Sequence, residues 1–423
     1  MNEYSLIING TITTPDDTKN RPFIKSELNN CLIIPDGAIA YNDKILAVDK
    51  VDIVLKEYPK SAAKQIIDAN KKMVIPGFVD SHTHVSFAGT REKELEWKLS
   101  GLSYLDIAAK GGGILSTMEK TRNASIEEIM EFQKFYLDQM LLHGTTTIEA
   151  KSGYGLNTKT ELKQLEVIKQ LNFNHSIDII PTFLGAHAIP PEYDAENYTD
   201  LVIEEMIPEV KKQGIAKFID VFTEKGYFNI DQTKRIVIAG KDAGLIPRLH
   251  VDEIEPDFGG SELAAELNVI SADHLLQISD SAIKFFSKKG IIGTFLPGTP
   301  FVLRMKDYPP ARKMIDCGVP VALATDFNPN CMLTSVQILM MIASYHMEMK
   351  PIETLNAVTL NTAYSLLKND SIGSLTPGKN ADIVITEIPN IHFIAYQLGI
   401  NCVKSVIKDG KTVVWNKNIV KDF

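Results

Sequence analysis

The chain has 423 residues, 44% of them apolar, and a formal charge of -9; that length suits one large α/β barrel with a smaller accessory domain, and the acidic balance argues against a nucleic-acid partner, which needs a concentrated basic face. No apolar run approaches the roughly 18 residues of a membrane span, and Met1-Asn2-Glu3-Tyr4 lacks a basic region leading into an apolar segment, so neither a membrane partner nor a secretory signal is expected. Cys31, Cys317, Cys331 and Cys402 are scattered and form no CxxC pair, which points to a reducing cytoplasm rather than a disulfide scaffold or a thiolate zinc site.

Residues 5–72 read as β structure. Leu6-Ile7-Ile8-Asn9-Gly10 predicts a short strand and turn, and 31–41 with 44–49 predicts a hairpin around Asn42-Asp43. The next stretch, Val74 to His84, begins apolar and ends in two histidines two residues apart. Alternate residues of a strand share a face, so His82 and His84 are placed to converge on one metal ion. Pro76 and Gly77 suit a strand start or a bend. On spacing alone, a chance pair of surface histidines is an equal alternative.

Seven more strand-like runs follow, at 145–151, 177–187, 218–224, 245–253, 269–274, 291–298 and 320–326. Amphipathic segments separate them. Ser125 with Glu128 reads as a capping box opening a helix to about Leu142, Thr158 with Glu161 opens another, and Asp280 starts a third. Eight such units over 73–364 predict a (β/α)8 TIM-like barrel with its site at the C-terminal strand ends. A doubly wound open sheet competes, but it concentrates polar groups at two or three strand ends. Here nearly every run ends in them: His82 and His84, Glu149 and Lys151, His187, Glu224, His250 and Glu253, His274, Asp326. Beyond 364 short strands return, with a turn and strand over 374–385 and a hairpin around Asp409-Gly410. Neither chain end buries a large core alone, so 1–72 and 365–423 are expected to form one composite β-sandwich domain.

At a closed rim, His82, His84, His250 and Asp326 supply three nitrogens and one oxygen, a set that suits Zn²⁺ and is acceptable to Fe²⁺. The fourth run, Asp220 to Gly226, is followed by no further ligand histidine, so one metal per chain is expected. Glu253 is placed to carry a proton to a leaving nitrogen, and the base role stays divided between His274 and Asp326. Arg91 is a fork for a substrate carboxylate. Tyr154, framed by Gly153 and Gly155, suits a small ring, and His187 is a donor for a substrate carbonyl. Asn328 and Asn330 offer amides to a polar substrate. Each has a structural alternative: His250 as a core histidine, Asp326 as a helix cap, Glu253 bridged to a rim lysine, Arg91 on the surface, the asparagines as turn formers. Gly111-Gly112-Gly113 lacks the strand and glycine pattern of a dinucleotide loop; an active-site lid and a simple turn both stay open.

Pro76 to His84 resembles the metal-binding signature of the amidohydrolase superfamily. With Lys151-Ser152-Gly153-Tyr154-Gly155-Leu156, Gly185-Ala186-His187, Asp220-Val221-Phe222, His250-Val251-Asp252-Glu253, Ser271-Ala272-Asp273-His274-Leu275 and Ala324-Thr325-Asp326-Phe327-Asn328-Pro329, the resemblance narrows to the imidazolonepropionase family and spans nearly the whole barrel. It implies hydrolysis of the cyclic amide of 4-imidazolone-5-propanoate to N-formimidoyl-L-glutamate, the third step of histidine degradation. It also implies one Zn²⁺ or Fe³⁺ per subunit on His82, His84, His250 and Asp326, in a cytoplasmic homodimer. Arg91, Tyr154, His187, Glu253, Asn328, Asn330 and Cys331 would line the substrate pocket, with Glu253, His274 and Asp326 catalytic. Two departures lie near the site: Asn330-Cys331 stands where Gly-Thr or Gly-Ser is usual, and His-Val-Asp-Glu where His-Ala-Asp-Glu is commoner. Another cyclic-amide or cyclic-amidine hydrolase is the competing enzyme. A barrel kept only for binding would be expected to lose a ligand or the Glu253 and His274 pair, and all are present.

Overall fold

The computed structural model describes residues 3–102 and 104–420. The head supplies β1 (Ser5–Thr14), β2 (Leu32–Tyr41), β3 (Ile45–Lys50), β4 (Ile66–Asp68) and β5 (Met73–Pro76). The middle supplies β6 (Phe78–Thr83), β7 (Thr145–Lys151), β8 (Asp178–Ala186), β9 (Phe218–Thr223), β10 (Ile246–Val251), β11 (Ser271–His274), β12 (Ile292–Phe295) and β13 (Val321–Leu323). The tail supplies β14 (Ile383–Thr386), β15 (Val403–Lys408), β16 (Lys411–Trp415) and β17 (Asn418–Ile419). Head and tail join in one nine-stranded sheet, in the order β17-β16-β15-β14-β5-β1-β2-β3, with β4 beside β1. Its two halves share one apolar cluster, Ile7 and Ile39 from the head against Ile383 and Ile407 from the tail.

β1 is twice the predicted length. Asn9 adopts a left-handed φ of 57°, and the register with β2 shifts on both sides of Gly10. The Asn-Gly pair is therefore a bulge within the strand rather than its end.

The run from Val74 to His84 is two strands, not one. β5 pairs with β1 and β14, whereas β6 pairs with β7. Gly77 alone separates them, and its N–H donates to the Asp382 carbonyl at 2.9 Å. A Cβ at Gly77 would lie 2.3 Å from Thr146 Oγ1, so this close crossing of sheet and barrel admits only glycine.

β6 to β13 are parallel and adjacent in chain order. Several strands stop before the apolar runs do, because the backbone turns out of the ladder at the rim. Asp252, His274 and Asp326 all have left-handed φ there. Polar stitches close the seam between the first and last strands. Asp326 N donates to His82 O (3.0 Å) and His84 N to Phe327 O (2.8 Å), while the Asp80 carboxylate accepts from Thr325 N and Oγ1 at 3.0 and 2.6 Å. The stitch that closes the barrel thus sets Asp326 beside the histidine pair.

The capping box at Ser125 and Glu128 is formed. The next helix, Thr158–Asn174, is capped instead by Asn157. Glu161 turns away to bind a loop, because three unpaired backbone N–H groups lie within its reach. No helix among the described residues is long and apolar enough to cross a membrane.

Candidate active site

His82, His84 and His250 lie at the ends of β6 and β10 and are all buried. Each offers a ligand atom within 4.8 Å of the others', the one such group among the described residues. Asp326 Oδ1 is 3.6 Å from His82 Nε2 and 3.5 Å from His84 Nε2. Buried polar atoms without partners are costly, yet His82 Nε2, His84 Nδ1 and both nitrogens of His250 lack hydrogen bonds. Burial, with the nearby Lys151, holds His82 well below the usual imidazole range. Burial also lowers His84, although Asp326 opposes this. Buried imidazoles with orphaned nitrogens facing a carboxylate are the donor chemistry of a metal centre, and these residues fit one.

Beneath the histidines lies a floor of fully buried charge. Lys151 Nζ is 2.7 Å from Glu149 and 2.8 Å from Asp220. Asp273 Oδ2 is 2.7 Å from His82 Nδ1 and 3.4 Å from Arg248. Asp220 Oδ2 is 3.0 Å from His250 Nδ1, without meeting hydrogen-bond alignment. Burial opposes the Asp220 charge, but His250 and Lys151 overturn this and hold its carboxyl well below the ordinary range. Burial likewise opposes the Lys151 charge, and Asp220 and Glu149 reverse it. Asp273 and Asp220 are thus carboxylates behind two of the three histidines, an arrangement that fixes ring orientation and tautomer at metal sites.

Above the histidines opens a cavity. Its walls include His84, Arg91, Tyr154, His187, His250, Glu253, His274, Asp326, Asn328 and Asn330, so residues spread over some 250 positions of sequence face one space. The Tyr154 loop is held by Glu161, which accepts from Gly153, Gly155 and Leu156 N–H groups at 2.8–2.9 Å. Gln164 accepts from Tyr154 N. His187 Nδ1 contacts the Gly153 carbonyl at 3.0 Å, and burial and the neighbouring histidines hold it well below the usual range. A neutral His187 must then carry its proton on Nδ1, so Nε2 is a hydrogen-bond acceptor rather than the donor the sequence suggested.

Burial, Asp326 and Glu224 push the Glu253 carboxyl well above the usual range. Glu253 Oε2 is 3.6 Å from His274 Nδ1. Burial brings the His274 imidazole down to about 3. His274 also sits at φ 77°, a strained conformation for a side-chain-bearing residue. Asp326 Oδ2 accepts a hydrogen bond from Thr299 Oγ1.

Asn328 lines the cavity with its amide engaged in the turn: Oδ1 accepts from Asn330 N (2.7 Å) and Cys331 N (3.0 Å), and Nδ2 donates to the Asp326 carbonyl (2.9 Å). That turn carries Cys331 away from the cavity, with its Sγ 3.8 Å from the Thr325 carbonyl. Asp273, Arg248, Thr299 and Glu94 were not singled out from sequence as site residues, and Glu161 was read only as a helix cap. A signal existed for Arg248, which stands two residues before His250 and so shares its inward face. Thr299 and Glu94 lie outside the strands and gave no periodic signal.

A model of the amidohydrolase family matches residues 229–413. Imidazolonepropionase from Alkaliphilus metalliredigens is 49% identical, covering 93% of this chain and 94% of the relative. The enzyme of that name from Geobacillus kaustophilus is 48% identical, covering 93% of each. Among solved structures, the 5-methylcytosine deaminase of Klebsiella pneumoniae superposes with a TM-score of 0.73 at 16% identity, over 99% of this chain and 98% of that one, a likeness of fold.

Proposed function

The chain belongs to the imidazolonepropionase family of amidohydrolases and hydrolyses imidazolone propionate in histidine degradation; from that premise we propose which side chains do the work. The observation that carries the reading is the meeting of His82, His84, His250 and Asp326 at a cavity that Arg91 also lines. These four hold one Zn²⁺ or Fe³⁺ ion per subunit, which when bound supplies Lewis acidity toward the ring carbonyl and toward water. Arg91 takes the propanoate, Tyr154 packs against the ring, and His187 Nε2 accepts a ring N–H. Asn328 shapes the rim by holding the turn that presents Asn330.

His274 is neutral and accepts the proton of the attacking water. We assign this role to His274 over Asp326 because one oxygen of Asp326 is tied to Thr299 and the other faces the histidines. The water oxygen bonds to the ring carbonyl carbon, and the carbon–nitrogen bond of the cyclic amide breaks. Glu253, kept protonated by burial, gives its proton to the departing nitrogen. The product is N-formimidoyl-L-glutamate.

The reading extends to a cytoplasmic homodimer, in which the barrel, entered at Gly77, carries the chemistry and the sheet built from both chain ends, β5 included, braces it. Four unbridged cysteines support the reducing compartment. The test is turnover of freshly generated 4-imidazolone-5-propanoate by metal-analysed protein, with the product identified by mass. Conversion that stops on chelation and returns with added metal is expected. No conversion by protein carrying bound metal would move the search to ring substrates without the propanoate.

A further inference from the structure

Arg91 is joined along one edge to Glu94. Both side chains are almost sealed from solvent, 3% and 6% exposed. Arg91 Nε donates to Glu94 Oε1 and Nη2 to Oε2, each at 2.9 Å. The same Oε1 accepts the backbone N–H of Gly113 at 2.9 Å. Glu94 therefore links the arginine to the Gly111-Gly112-Gly113 turn, a motif the reaction has not otherwise required.

The turn is shaped for this contact. Gly111 and Gly113 hold left-handed φ of 81° and 71°. A Cβ on Gly112 would lie 2.9 Å from Glu94 Oε1 and 2.8 Å from Ile107 Cγ2. Glu94 cannot step aside without releasing Arg91, Gly113 or both. Glycine is thus required by the approach of the carboxylate as well as by the turn.

A lone arginine would attract a substrate carboxylate through its full charge, but its long side chain has many rotamers. A bidentate partner fixes the guanidinium plane, and the plane decides whether a second carboxylate meets two N–H groups or one. The Arg91–Glu94 pair brings no net charge. Lys98 Nζ donates to the amide oxygen of Asn330, which lines the same cavity.

We propose that Glu94 is a positioning residue for the substrate's carboxylate, and that the glycine turn, by fixing Glu94, is part of the specificity device. The inference rests on the reading that Arg91 takes the propanoate.

The experiment compares two substrates, 4-imidazolone-5-propanoate and the same ring with its carboxylate as a primary amide. The metal-loaded protein is tested as Arg91→Ala, Glu94→Ala, Glu94→Gln, Gly112→Ala and the Arg91→Ala/Glu94→Ala double variant. On the propanoate, Glu94→Ala and Gly112→Ala are expected to raise KM about ten-fold with kcat within about two-fold, and Glu94→Gln by less, because it keeps one acceptor. On the amide, these variants should match the parent. The double variant should fall to the level of Arg91→Ala and no lower, because Glu94 acts only through Arg91. Arg91→Ala that discriminates between the substrates, beside Glu94 and Gly112 variants that do not, overturns the inference and leaves the Arg91 reading standing. Arg91→Ala that lowers kcat/KM equally for both substrates overturns both. Should Glu94→Ala fail to fold, Gly112→Ala and Glu94→Gln decide the matter.

Discussion

The floor beneath the histidines and the wall that holds Arg91 are built from the same material, buried ion pairs, and put it to different uses. In the floor, Lys151, Asp220, Arg248 and Asp273 stand on β7, β9, β10 and β11, each side chain fully buried and locked into neighbouring strands. At the wall, Arg91 and Glu94 come from the segment between β6 and β7, and a glycine turn holds them. Strand-borne charges, which stand behind the proposed metal ligands, have no room to move. On our proposal, the charges of the segment between β6 and β7 read the substrate and can be altered without dismantling the barrel. A third pair, Arg21 with Glu27 at the molecular surface, shows what the same chemistry does when water reaches it.

The sharpest test of the floor is the loss of what it holds. His250→Ala should empty the metal site and lower turnover by more than about 10³-fold, read by metal analysis beside activity; full metal content would remove His250 from the ligand set. His274→Ala should keep the metal yet lose about 10²–10⁴-fold in kcat. Retained activity would hand the base role to Asp326.

Lys151→Met addresses the comparison directly. It strands Glu149, Asp220 and Asp273 in the interior, and denaturant unfolding should show a loss of about 3–5 kcal/mol. Metal affinity should fall about 10–100-fold, while KM in fully loaded protein stays near the parent's. A change confined to KM would erase the distinction between floor and wall.

The smallest effect belongs to Glu27→Gln, at no more than about 1 kcal/mol. Arg21 and then Lys19 hold the Glu27 carboxyl down at about 2. Because its pKa is lowered on folding, its contribution is complete above about pH 4.5 and fades as pH falls toward 2. Parent and variant should therefore differ in Tm at pH 7 and converge in acid. A gap that stays undiminished at pH 2 would mean that charge is not its source.

The barrel was legible because its strands are short apolar runs that end in polar residues, and the rim set followed from those ends. His82, His84, His250 and Asp326 meet because parallel strands bring their C-terminal ends to one face. What stayed hidden depended on contacts with no local pattern. Glu161 stands three residues after Thr158, as a capping box requires, but its carboxylate serves the Tyr154 loop. His187 reads as a donor until the Gly153 carbonyl fixes its tautomer. Cys331 follows Asn330 directly, yet the side chain of Asn328 decides that it turns inward.

The single residue between β5 and β6 also bears on how the chain assembles. β5 gains its first neighbour, β1, from residues already synthesised, with Thr11 opposite Met73. Its other edge waits for β14, where Ile383 pairs with Pro76 across roughly 300 residues of intervening chain. On the ribosome, β5, which leads through Gly77 into the strand bearing His82, is therefore paired on one side only until nearly the whole polypeptide has emerged. A chain that stops short of Ile383 would contain every proposed metal ligand and still leave one edge of β5 without its partner.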